Sequence, residues 1–137
     1  QVDALRHSYW MALLSQKIRS KKAYKFGLAH EKGNRIDFKK GKMEEGALPD
    51  SVSSVMDMEN NKTGIALGKN NLQLNEQQLK ERVIKEILNG KMKIIKKDTN
   101  GNFIDCTGNM ISVKEWKGKW GIPKCLVSSD VVDKKWN

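Results

Sequence analysis

The sequence is poor in several features, and each shortage excludes a class of protein. Two cysteines among 137 residues, 19 positions apart, are too few for a disulfide scaffold and cannot form a C-x-x-C site. No apolar run approaches the roughly 20 residues that cross a bilayer. Charged side chains interrupt the first 20 residues. We therefore expect neither a transmembrane segment nor a secretory signal peptide in this chain. The motifs H-E-x-x-H, G-x-S-x-G and the P-loop are also missing.

Arginine is scarce in a chain that is otherwise strongly basic. The 26 basic residues include four Arg, and they outnumber 16 acidic residues for a net charge of +10. Lysine acts as a solvated point charge, whereas arginine forms planar, two-pronged contacts. The excess is densest over residues 17–42, where ten basic residues face two acidic ones. Such a field attracts nucleic-acid backbones, anionic surfaces or an acidic protein, although a lysine-rich surface can also serve solubility alone.

Helical periodicity dominates the first two thirds of the chain. Apolar residues at helical spacing predict a helix over 2–20 and a second over 21–32 that ends at Gly33-Asn34. A polar loop closed by Pro49 follows, and a shorter helix over 50–62 is predicted to stop before Gly64.

The fourth helix, over 75–89, has the clearest signals. Asn75 is the predicted N-cap and Gln78 completes a capping box, while Leu74 and Leu79 can form a hydrophobic staple. Its predicted buried face consists of Leu79, Val83, Ile87 and Leu88. Gly90 is expected to end the helix.

The hydrophobic period changes after residue 90. Segments 92–99 and 102–107 flank Asn100-Gly101, a strong hairpin signal, and 111–116 is a candidate third strand. The sequence therefore predicts a helix-dominated α+β fold, with about four N-terminal helices before a small antiparallel hairpin or three-stranded element. We expect one domain over 1–137, with the site in the helical part, 1–90, and a small β element and tail over 91–137.

Polar side chains lie on the inward faces of three predicted helices. Burying ionisable groups costs several kcal/mol unless each finds a partner, so these groups are expected to satisfy one another in a buried or cleft-lining cluster. The predicted members are Asp3, Arg6, His7, His30, Glu31, Asp57, Asn60 and Asn61. Ser8 and Ser15 are assigned to the solvated side of the first helix.

Structural roles for these residues compete with catalytic ones. A histidine or aspartate in an apolar stripe is often a satisfied core group, Asp57-x-x-Asn60-Asn61 could cap a helix end, and Glu31 could pair with a lysine. If the cluster is a site, two chemistries fit. The histidines with Asp57 or Glu31 could perform acid–base cleavage of a phosphodiester, with Arg6 or a lysine holding the phosphate charge. Alternatively, the histidines and carboxylates could bind a divalent metal ion.

The C-terminal part leaves two questions open. Cys106 and Cys125 could form a disulfide or remain as two reduced thiols. Trp116 and Trp120 lie among lysines and could stack nucleic-acid bases, or they could anchor the β element to the helices.

Three ordered motifs resemble a bacterial domain with the pattern D-A-x-R-H-x-x-W, H-E, M-D-x-x-N-N-x-x-G. They are D-A-L-R-H-S-Y-W (Asp3–Trp10), A-H-E (Ala29–Glu31) and M-D-M-E-N-N-K-T-G (Met56–Gly64). The domain occurs at the C-terminal ends of large secreted proteins, including polymorphic toxins of the contact-dependent inhibition and Rhs types. This chain departs from the pattern at Leu5, Met11, Glu59 and Ile65, where the family often has an aromatic residue, Asn, His and Arg.

The resemblance implies a toxin or effector tip that is secreted as part of a larger protein, acts in the target cytoplasm and is neutralised in the producer by an immunity protein. It marks Asp3, Arg6, His7, Trp10, His30, Glu31, Asp57, Asn60, Asn61 and Gly64. It supplies no reaction. Together with the net charge of +10, the resemblance favours a nuclease that cleaves RNA or DNA and is bound by an acidic immunity protein. A hydrolase of lipid or cell envelope and a non-catalytic domain are the alternatives.

Overall fold

The secondary structure is mostly helical, as the periodicity predicts. The computed structural model describes residues 2–40 and 50–131. Its elements, in chain order, are α1 (Val2–Lys17), α2 (Ser20–Lys39), α3 (Ser51–Asn70), α4 (Glu76–Leu88), β1 (Lys93–Ile95), α5 (Val113–Trp116) and β2 (Leu126–Ser128). The helix-dominated α+β class, with a small antiparallel sheet on the C-terminal side, is confirmed. None of the described helices is long and apolar enough to cross a membrane.

Helix α1 lies at the centre of the helical part. It forms an antiparallel hairpin with α2, because two residues link them and the rings of His7 and His30 meet at the far end. It runs parallel to α3, since Gly64 lies against Ser8 and Gly68 against Ala12.

Small residues allow α1 and α3 to pack very closely. A methyl group built at Gly64 would lie 2.9 Å from the Cα of Ser8, and one at Gly68 would lie 2.9 Å from the carbonyl carbon of Ala12. Ser8 satisfies its own hydroxyl by donating to the Ala4 carbonyl. The expectation that Ser8 and Ser15 face solvent is therefore wrong, because a close helix contact selects small side chains regardless of polarity.

Two predicted helix ends are wrong for related reasons. Helix α2 continues through Gly33 and Asn34 to Lys39, since Asn34 is buried and Phe38 packs on Trp120 with ring centroids 5.2 Å apart. Helix α3 continues through Gly64 to Asn70, since that glycine serves helix packing and does not end the helix. The predicted closure of the preceding loop at Pro49 lies outside the described residues.

Helix α4 follows the prediction closely. Asn75 Oδ1 accepts from the Gln78 N–H at 2.9 Å, and Gln78 Oε1 accepts from the Asn75 N–H at 3.0 Å, which confirms the capping box. Leu79, Val83 and Ile87 are buried. Leu88, predicted with them, is exposed because it lies about 100° further round the helix than Ile87, off the buried face.

The β element pairs differently from the predicted hairpin. Ile94 of β1 lies opposite Val127 of β2, so the second strand comes from the C-terminal segment. Around Asn100-Gly101 the chain does turn back, but only through an isolated bridge between Lys97 and Phe103.

The predicted third strand over 111–116 is wrong. Its second half is the short helix α5, because Ser112 and Glu115 form a capping box, a local signal that outweighs the strand-like composition.

The C-terminal segment contains an internal disulfide and is held to the helices by contacts of charged side chains. Cys106 and Cys125 form a disulfide. Lys124 makes a buried ion pair with Asp50, the N-cap of α3. Arg35 of α2 lies over the Trp120 ring, 4.2 Å from its centroid. These contacts match the anchoring role that we considered for Trp120.

Candidate active site at the junction of three helices

Two helices bring an imidazole and a carboxylate together in the interior. His7 of α1 and Asp57 of α3 are both buried, and Nε2 of His7 lies 3.4 Å from Oδ2 of Asp57. A neutral imidazole carries one proton, and this contact favours placing that proton on Nε2. Asp57 can therefore fix the orientation and tautomer of His7.

The environment of His7 favours its neutral form. Burial, followed by the electrostatic influence of Arg6 and then of His30, lowers the pKa of His7 from 6.5 to about 4, while Asp3 and Asn61 act in the opposite direction. At pH 7 the His7 ring is therefore uncharged.

This shift predicts a pH-dependent stability. Between pH 6.5 and 4 the unfolded chain binds a proton that folded His7 resists, so the free energy of unfolding must fall as the pH falls. We expect a loss of about 2 kcal/mol between pH 7 and pH 5 from this group. Urea unfolding at the two pH values measures it. The variant His7→Asn, which cannot titrate, should lose about 2 kcal/mol less over that interval, and an equal loss in both proteins would contradict the assignment.

His30 connects the buried pair with the surface. Its ring is half-buried, its centroid is 5.7 Å from that of His7, and the exposed Trp10 meets it edge-on at 6.5 Å. The three residues His7, His30 and Asp57, called here the histidine centre, therefore extend from the interior to the surface. A molecule in solvent can reach His30 directly, whereas His7 and Asp57 are buried.

A buried amide side chain, that of Asn61, lies beside His7. Asn61 is 1% exposed, and neither of its polar side-chain atoms completes a hydrogen bond of ordinary geometry within residues 2–40 and 50–131. Its position depends on Gly27, since a methyl group there would lie 2.7 Å from Asn61 Nδ2. Asn61 instead lies beside His7 in a weaker polar contact, which acts to raise the pKa of that imidazole. A buried amide that makes only such a contact costs stability.

Glu31 occupies a separate position between α2 and α3. It is buried, and its Oε2 accepts a hydrogen bond from Ser54 Oγ at 2.5 Å. Ser54 was missed by the sequence reasoning, although it lies one helical turn before Asp57 on the same face of α3.

Three predicted members of the cluster have other positions. Asp3 and Arg6 are exposed and pair with each other at 3.4 Å, so they lie at the rim, because charged side chains at the start of a helix reach water easily. Asn60 is fully buried but points away, toward β1. There its amide donates to the Lys93 carbonyl at 3.0 Å and accepts from the Lys93 N–H at 2.7 Å. It joins α3 to the sheet, and the helix end that it was considered to cap does not exist.

Candidate metal ligands do not converge in the described ranges. Among residues 2–40 and 50–131, no three His, Cys, Asp or Glu side chains are grouped so that they could hold a metal ion.

Comparison with known proteins gives a family without a known activity. The family model described as "Domain of unknown function (DUF6973)" matches residues 1–91, about two thirds of the chain, and the chain therefore belongs to this family. The matched range contains the whole histidine centre. No curated protein and no solved structure shows a significant match.

Proposed function

We propose that this member of the DUF6973 family is the effector domain of a secreted bacterial protein, and that it cleaves phosphodiester bonds of RNA or DNA in the cytoplasm of a competing cell. The observation that carries the proposal is the histidine centre, in which a buried His7–Asp57 pair stands behind a solvent-accessible His30. The net charge of +10 and the resemblance of three motifs to toxin domains support the substrate and the delivery.

His30 is the proposed catalytic residue because its ring can touch a substrate. Histidine is the side chain best suited to exchange protons near neutral pH. In the proposed step, His30 accepts the proton of an attacking hydroxyl, either water or the 2′-hydroxyl of RNA, as that oxygen bonds to phosphorus. The bond from phosphorus to the leaving oxygen breaks, and this oxygen takes a proton from water.

The other polar groups have supporting roles. His7 and Asp57 are positioning residues, since they are buried and act on the substrate through His30. Arg6 lies at the exposed rim, where its guanidinium can stabilise charge on the phosphate.

The distribution of charge favours a polyanionic substrate. The outer surface of α2 carries exposed lysines on the same helix as His30. They are Lys21, Lys22, Lys25, Lys32, Lys39 and Lys40. Such a surface concentrates nucleic acid near the histidine centre by long-range attraction.

Expression inside a bacterium tests the proposal. Total RNA, DNA and lipids are examined after induction, and the purified chain is then incubated with RNA and with DNA, each with and without EDTA. We expect degraded nucleic acid in the cell and in the purified reaction. The EDTA arm separates metal-dependent from metal-independent cleavage. Intact nucleic acid with altered lipids would replace this function by a lipid hydrolase, and unaltered cells would indicate a non-catalytic domain.

We further propose that the producer neutralises the domain with an acidic immunity protein, which covers the histidine centre or the basic residues 17–42. Opposite charges accelerate association, and salt screens them over about 10 Å at 0.1 M. The association rate of the protecting protein should therefore fall steeply between 50 and about 500 mM salt. Stopped-flow mixing measures it. A neutral or basic protector with a salt-independent rate would show that the charge does not serve this partner.

A further inference from the structure

We infer that the exposed surface of the α1–α2 hairpin is a binding track for single-stranded nucleic acid that leads to His30. Its residues, called here the hairpin track, are Arg6, Trp10, Lys17, Lys22, Phe26 and His30. The inference rests on the proposed function, since the track ends at the proposed catalytic residue. It adds how the substrate binds and which form of nucleic acid is accepted.

Two exposed aromatic side chains flank His30. Trp10 is 43% exposed and contacts the His30 ring, and Phe26 is 48% exposed. Phe26 precedes His30 by four residues on α2, so the two side chains are neighbours on the helix surface. Aromatic rings beside basic groups are the stacking platforms of proteins that bind single strands, because every base presents a flat π-face. Bases held in a duplex are stacked on one another and cannot occupy these platforms.

Basic residues lie on the same faces of α1 and α2 as Trp10 and Phe26. On α1, Arg6, Trp10 and Lys17 follow one another at spacings of four and seven residues, which keeps them on one side of the helix. On α2, Lys22, Phe26 and His30 are each four residues apart. Because the helices are antiparallel and Trp10 meets His30, the two faces adjoin and form one surface of alternating cations and rings.

An anion pocket lies where the hairpin turns. A surface depression of about 610 Å³ is lined by residues that include Ser15, Lys17, Arg19 and Lys69. Ser15 is 5% exposed, and its hydroxyl has no hydrogen-bond partner among the described residues.

Arg19 is the N-cap residue of α2, and no side chain among the described residues caps this helix. The Arg19 carbonyl accepts from the N–H groups of Lys22 and Ala23. The N–H groups that can face a ligand are therefore those of Ser20 and Lys21.

These groups share a preference for phosphate. A phosphate oxygen in the pocket can accept from the Ser15 hydroxyl and the first turn of α2, while Lys17, Arg19 and Lys69 neutralise its charge. From Ser20 to His30 the helix rises about 15 Å, the length of a few nucleotides. One strand can therefore place a phosphate in the pocket, bases on Phe26 and Trp10, and a scissile bond at His30.

Binding to a protein that cannot cleave tests the track separately from catalysis. His30→Ala is titrated with fluorescent single-stranded RNA, with DNA of the same sequence and with the duplex, and anisotropy gives Kd at several salt concentrations. Adding Trp10→Ala or Phe26→Ala should weaken single-strand binding roughly 5- to 100-fold. Adding Tyr24→Ala should not, since this exposed ring lies two positions from Phe26 and on the opposite side of α2.

A second set of variants tests the anion pocket by the salt dependence of binding. Lys17→Ala with Arg19→Ala should lower the slope of log Kd against log salt by about 1.4, the value for two lost phosphate contacts on a single strand. Lys80→Ala, which removes an exposed charge from α4, should change the slope less.

The outcomes distinguish failure of the hairpin track from failure of the proposed nuclease activity. If Trp10→Ala and Phe26→Ala bind as tightly as Tyr24→Ala, or if the duplex binds as tightly as the single strand, the track is overturned even when the unmodified chain cleaves. If the track variants weaken binding but the unmodified chain cleaves no nucleic acid, the track stands and the nuclease does not. Tighter binding of RNA than of DNA would identify RNA as the substrate.

Discussion

Replacing His30 by alanine should lower the rate of phosphodiester cleavage by roughly 10²- to 10⁴-fold, the usual contribution of a general acid or base. The reason is geometric. His30 is the half-buried member of the histidine centre, whereas His7 and Asp57 are buried, so a substrate is expected to contact His30 first. Removal of its ring should leave the fold intact, because His30 is only half-buried.

Initial rates on RNA and DNA, with purified His30→Ala and the unmodified chain, measure the effect. Lys80→Ala is the control, since Lys80 is exposed on α4 and belongs neither to the histidine centre nor to the basic surface of α2. A His30→Ala protein that is folded by circular dichroism and cleaves as fast as Lys80→Ala would remove His30 from the mechanism.

The buried pair should behave differently from His30. Asp57→Asn keeps the side-chain size but replaces the carboxyl group that faces His7 at 3.4 Å with an amide. We expect a smaller loss of rate together with a shift of the pH–rate profile, because the group that orients His7 has changed its hydrogen bonding. A side chain that merely packs would alter stability and leave the pH profile in place.

Alanine at Gly64 or Gly68 should destabilise the fold by about 1–3 kcal/mol each, a large part of the 5–15 kcal/mol that holds a domain together. The added methyl group meets the backbone of α1 at Ser8 or Ala12, and backbone cannot turn aside as a flexible side chain can. The helices must therefore separate, which also displaces His7 from Asp57.

Gly33→Ala should have the opposite effect on the free energy of unfolding. Gly33 is also helical, but a methyl group there would have no neighbour within 4 Å. Alanine should stabilise this position by about 0.5–1 kcal/mol, since it restricts the unfolded chain and favours helix. Urea unfolding of the three variants measures the contrast. A similar change at all three positions would show that helix propensity, and not the α1–α3 contact, dominates.

Local signals in the sequence were sufficient wherever neighbouring residues decide the structure. The capping box of Asn75 and Gln78 predicted the start of α4, and the inward phase of His7, His30 and Asp57 predicted that the three would meet. Both features depend on helical spacing, which repeats every few residues and can be counted along the chain.

Glycine in the middle of a helical pattern was ambiguous in the sequence. A glycine at position 64 is typical of a helix end, yet Gly64 lies inside α3. The residue is a glycine because α1 approaches it too closely for any side chain. The same contact buries Ser8, and Ser15 is buried as well, although the polarity of both residues assigned them to solvent. The sequence of one segment does not show which other helix will pack against it, and that helix decides which of its positions must be small.

The sequence by itself determined the helical class, the helix start at Asn75 and the convergence of the histidine centre. Only the tertiary structure decided that Asn60 serves β1, that Asp3 and Arg6 stay at the rim, and that β1 pairs with β2 across 30 residues of intervening chain. The reason is physical. Caps and helix faces are set by interactions within a few residues, whereas burial, strand pairing and close helix contacts depend on which distant segment arrives, and that is settled by packing of the whole chain.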